Sequence, residues 1–62
     1  MNFAPLLLIL ETTREIAVLS DMAYFLQHQA LVSEEDKEQR DLLRESIRLK
    51  IIYLAFTGLA LE

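Results

Sequence analysis

Apolar and small residues fall alternately three and four apart along the first half of the chain: Ile9, Thr12, Ile16, Leu19, Ala23, Leu26 and Ala30. That spacing keeps side chains on one face of a helix that packs against another helix. A second stripe runs beside it, through Val18, Met22, Phe25 and Val32. Together the two cover roughly 200° of the helix circumference, twice the arc of about 100° that one neighbour requires. The first helix is therefore expected to touch at least two others.

The pattern changes in the second half. Between Glu34 and Arg48, Leu42, Leu43, Ser46 and Ile47 share one side, with Lys37, Asp41, Arg44, Glu45 and Arg48 on the other. From Leu49 to Leu61 the chain is apolar nearly all round, and Ile52, Phe56 and Leu59 lie roughly opposite Ile47 and Leu54. A helix apolar on every side has to be buried on every side.

The punctuation between these halves is Ser33-Glu34-Glu35-Asp36. A serine hydroxyl can accept from an unpaired N–H of a first helical turn, and acids there complement the positive end of the helix dipole. At the other end, Asn2 can cap a helix that carries Pro5 in its first turn, where the missing N–H costs least. These signals predict helix 1 over about 3–31, a turn at about 32–33 and helix 2 over about 34–60. Thr12-Thr13-Arg14-Glu15 also fits a capping box, which marks a place where the first turns could separate as a short helix.

The expected fold is all-α: one domain over 1–62, a two-helix antiparallel hairpin assembling into a dimeric four-helix bundle. The alternative is a single long helix in a coiled-coil assembly. Ser33 argues against it, because mid-helix the serine has no free N–H to cap and the acids have no dipole end to meet. A turn at Ser33 sets Asp21 opposite Arg44 and Glu15 opposite Lys50, two pairs of matching sign.

Length decides how far such a hairpin can stand alone. A 62-residue chain buries only about 60% of the surface its unfolded form exposes. Small scaffolds compensate with disulfides, a metal or association, and this chain has no cysteine and one histidine. Association remains. With 53% hydrophobic residues, 26% charged and one residue each of glycine and proline, the chain is neither a disordered tail nor a turn-rich β protein. The hairpin brings Leu49 to Leu61 beside Leu6 to Ile16, an end apolar on all faces, and such a patch marks an interface. The residues expected there are Leu8, Ile9, Ile16, Val18, Leu19, Met22, Phe25 and Leu26 from helix 1. Helix 2 adds Ile47, Ile51, Ile52, Tyr53, Leu54, Phe56 and Leu59.

The net charge of −4 argues against a general affinity for nucleic acid or anionic lipid and points to a protein partner. Absence of cysteine fits a reducing compartment, so the expected location is cytoplasmic. Leu6 to Leu10 is apolar but lacks the basic flank and cleavage site of a signal peptide. The uncharged stretches Met1–Leu10, Met22–Ser33 and Ile51–Leu61 each fall short of the ~20 residues of a membrane span. The terminal Leu61-Glu62 matches a dipeptide that cloning sites leave, and it carries no argument.

Candidate chemistry is sparse. His28 lies on the polar arc of helix 1 near its C-terminal end, where the dipole favours its charge. Di-metal bundles place a glutamate three residues before such a histidine, and here that residue is Phe25. Arg40, Arg44 and Arg48 form a ridge that could hold an anion, but Asp36, Asp41 and Glu45 interleave with it, as on a salt-bridged solvated face. Ser20, Ser46, Thr12 and Thr13 have no histidine positioned as a base. Tyr24, Phe25, Tyr53 and Phe56 stand at helical spacing, as packing residues do.

In length and layout alone the chain resembles the Rop-like dimeric hairpins of plasmid copy control and the short hairpin co-chaperones of type III secretion. The reading that follows is a non-enzymatic, self-associating helical protein, without metal or cofactor, that docks, caps or sequesters a protein partner. The alternatives are a small membrane-associated helical protein, or a nucleic-acid-binding hairpin dimer using the arginine ridge.

Overall fold

Ser33 opens the longest element of the chain. In the computed structural model, which describes the backbone of residues 1–61 and the side chains of residues 1–58, the Asp36 N–H donates to Ser33 Oγ at 3.4 Å. The Lys37 N–H donates to the Ser33 carbonyl at 3.0 Å. With Glu34, Glu35 and Asp36 in its first turn, helix α3 runs over Glu34–Leu61. The chain is all-helical, with no strand among the described residues.

The expected first helix over 3–31 is two helices, α1 (Ala4–Thr12) and α2 (Ile16–Gln27). Asn2 Oδ1 accepts from the Ala4 N–H at 3.0 Å, and Pro5 sits in the first turn. The break comes at the paired threonines. Thr12 Oγ1 donates back to the Leu8 carbonyl at 2.8 Å, Thr13 is extended, and Thr13 Oγ1 accepts from the Glu15 N–H at 3.2 Å. Short polar side chains that bond the nearby backbone compete with continuation of a helix, and two in a row end this one. α2 stops before the expected end at 31: the His28 N–H reaches the Tyr24 and Phe25 carbonyls at 3.2 and 3.3 Å, and 28–33 form a loop.

The break redirects the N-terminal helix. Met1 N lies 3.1 Å from Asp36 Oδ2, and Lys50 Nζ donates to the Leu10 carbonyl, so α1 runs parallel to α3. α2 runs back the other way: Ile16 lines one groove with Leu54, and Ala23 lines another with Ile47 and Ile51. That register sits more than a turn further along α3 than a turn at Ser33 alone would give, because loop 28–33 returns along the first turns of α3. The expected pairs Asp21–Arg44 and Glu15–Lys50 accordingly do not form among the described residues.

The core joins all three helices. Phe3, Leu19, Met22, Leu26, Leu43 and Ile47 are buried, and Leu6, Leu10, Ala23, Leu31, Ile51 and Leu54 pack against them. Leu19, Leu26 and Ile47 are fully enclosed, each contributing about 1.5–3 kcal/mol of transfer free energy. The molecule is elongated, 44 × 16 × 15 Å, and the ~42 Å of a 28-residue helix set its length.

Candidate interaction surface

α3 has two apolar faces. Leu43, Ile47, Ile51 and Leu54 look inward on α1 and α2. Leu42, Leu49, Ile52, Tyr53 and Phe56 look outward and are exposed. At 3.6 residues per turn the two sets are centred about 150° apart, so no rotation of α3 buries both against the same neighbours.

The residues expected at an interface divide between the core and the surface. Leu19, Met22, Leu26 and Ile47 are core residues of the single chain, and Ile51 and Leu54 pack against that core. Leu8, Ile9, Ile16, Val18, Phe25, Ile52, Tyr53 and Phe56 are exposed. The Leu59 side chain lies outside the described residues. Leu42 and Leu49 are exposed although neither is among the expected interface residues. Their signal is the interval of seven that links Leu42, Leu49 and Phe56, which the grouping of Leu42 with Leu43 and Ile47 hid. Phe3 was equally hidden, since its burial depends on α1 folding back.

The arginine ridge is largely engaged by its own helix. Arg48 donates to Glu45 through Nε at 3.2 Å and through a terminal nitrogen at 2.8 Å, and Arg40 Nε lies 3.1 Å from Asp41. The hydrogen bonds and charge of Arg48 hold the Glu45 carboxyl below its ordinary value, and Glu45 holds Arg48 above its own. Arg44 makes no ion pair among the described residues. Arg44 and Arg48 border a shallow groove floored by Ala23, Ile47 and Ile51, with Asp41 and Glu45 on its rim. Acids at the rim offset the attraction of that groove for an anion.

A second groove, between the α1–α2 corner and α3, is lined by Thr12, Thr13, Arg14, Lys50, Tyr53 and Thr57 among others. Its threonine hydroxyls and its lysine bond to the backbone, with Thr57 Oγ1 donating to the Tyr53 carbonyl at 2.8 Å. His28 packs its ring on Tyr24, centroids 4.2 Å apart. Among the described residues no group of three or more His, Asp or Glu is placed to hold a metal ion, and no helix is long and apolar enough to cross a membrane.

The site is thus a surface of apolar side chains on a small charged scaffold. No protein-family model, curated protein or solved structure matches the chain.

Proposed function

We propose that the chain is a non-enzymatic, self-associating helical protein whose apolar surface docks, caps or sequesters a protein partner, and that its working form is a homo-oligomer, a dimer in the first instance. One observation carries this reading. After the three helices have packed, Leu8, Phe25, Leu42, Leu49, Tyr53 and Phe56 still face water, against six buried core side chains among the described residues. Water-exposed apolar area of this extent on so small a core is the mark of an interface. Two copies joined along the exposed face of α3 set the α2–α3 pair of one chain against that of the other, α3 beside α3, as a four-helix assembly.

The nucleic-acid alternative is weakened by the acids that engage Arg40 and Arg48, because a phosphate would have to displace them. Sedimentation equilibrium of the purified chain at micromolar concentration tests the reading. A dimer or larger closed oligomer is expected. A folded monomer with unchanged helical content over that range overturns it.

A further inference from the structure

We infer that the outward face of α3 is a self-recognition seam, on which a second copy of this chain docks with its own α3 antiparallel, centred on Leu49. This inference rests on the self-association proposed above and assigns it to a face, an orientation and a register.

The spacing comes first. Leu42, Leu49 and Phe56 stand seven apart, and Ile52 follows Leu49 at three, so the outward stripe repeats every 3.5 residues, as helices do where they pack side by side over several turns. Exposures of 67% for Leu42, 55% for Leu49, 40% for Ile52, 66% for Tyr53 and 69% for Phe56 show that the stripe stays open to water among the described residues. From Leu42 to Phe56 the stripe is about 21 Å long, four turns of helix. α1 and α2 are nine and twelve residues in all and offer no exposed run of that length.

Surface area agrees with an occupant of this size. The chain exposes 4726 Å², about 600 Å² more than the ~4,100 Å² of a compact 7.2 kDa protein. That excess approaches the ~800 Å² that each partner loses in an ordinary specific interface. The radius of gyration, 12.5 Å, likewise exceeds the ~10.6 Å of a compact domain of this length. Two elongated chains set side by side correct both.

Charge selects the orientation. Over Glu34 to Arg48 the acids Glu34, Glu35, Asp36, Glu38, Asp41 and Glu45 outnumber the bases Lys37, Arg40, Arg44 and Arg48, with the excess of acid in the first turn, while Leu49 to Leu61 carries no charge but Lys50. A parallel pair sets Glu45 against Glu45 within the seam and stacks the acidic first turns together. An antiparallel pair centred on Leu49 sets each acidic half against an uncharged half, places Leu42 opposite Phe56 and opposes the two helix dipoles. Glu45 lies on the stripe, paired with Arg48, and in the antiparallel pair it stands opposite Tyr53 instead of a second Glu45. A lipid surface is a poorer occupant, since Asp41 and Glu45 pair with Arg40 and Arg48 on the polar side of α3, and helices that lie on membranes carry a predominantly basic polar face.

The chain has no cysteine, so single cysteines report the register. On mild oxidation Leu49→Cys is expected to form a disulfide-linked dimer rapidly. Gln39→Cys is expected to stay unlinked, because its two copies lie about 30 Å apart in the antiparallel arrangement. Leu49→Asp, at a position exposed in the single chain, is expected to keep its helical circular dichroism and to raise the dimer dissociation constant at least about tenfold. Rapid linking of Gln39→Cys overturns the orientation. A dimer as tight with Leu49→Asp as without it, or one that never links through Leu49→Cys, overturns the face and leaves self-association standing. A wild-type chain that stays monomeric overturns both, as does one that is monomeric in solution and held by neutral phosphatidylcholine vesicles through this stripe.

Discussion

Leu26 and Val32 are six residues apart and both aliphatic, yet one is fully enclosed and the other is 90% exposed. The difference is positional: Leu26 stands on the inward face of α2, whereas Val32 belongs to the loop that returns along α3. Leu26→Ala removes a fully enclosed side chain from the small core and is expected to cost about 2–5 kcal/mol, cavity included. Val32→Ala is expected to change stability by less than about 0.5 kcal/mol. Urea titrations of both variants at one protein concentration check the contrast, and equal losses would mean that Val32 is covered in the assembled protein. Leu19, Met22, Leu26 and Ile47 were readable from periodicity because burial inside a helical seam follows from local spacing. Phe3 was not, since its burial follows from the direction α1 takes after the Thr12-Thr13 break, and direction is a long-range property.

At the scale of the element, caps were the most readable signals in the chain. Ser33 accepts the backbone N–H that its position suggested, because a cap needs only its own few residues, whereas Asn2 bonds the Ala4 N–H from one residue before the N-cap, which is Phe3 and has no side-chain bond. Thr12-Thr13-Arg14-Glu15 carried two compatible meanings, a stretch of continuous helix or a new start, and the side-chain bonds of the threonines to the backbone decide it. The cross-helix pairs Asp21–Arg44 and Glu15–Lys50 were inferred from a turn position alone and fail with it. A loop of six residues in place of two shifts every partner along α3, and exposed ion pairs, commonly worth under ~1 kcal/mol, are too weak to restore a register. Ser33→Ala leaves the Asp36 N–H without its acceptor and is expected to lower stability by about 1 kcal/mol. Ser33→Asp retains an acceptor and is expected to restore most of that loss. Chemical denaturation of both variants makes the test, and a neutral alanine would place the capping elsewhere.

For the whole molecule, two apolar faces on one long helix decide the behaviour in solution. The inward face of α3 holds α1 and α2 to make the fold, and the outward face is exposed among the described residues. A protein stabilised by a second copy of itself unfolds to two chains from one complex, so mass action links its melting temperature to concentration. For a complex of this size each tenfold rise in concentration is expected to raise the midpoint by on the order of 5 °C. Leu49→Asp, which leaves the inward face untouched, is expected to melt lower and at a midpoint independent of concentration. Thermal melts followed by circular dichroism over two decades of concentration compare the two. A concentration-independent midpoint in the wild-type chain would show that the inward core suffices by itself, and the outward leucines would then need a partner other than a second copy.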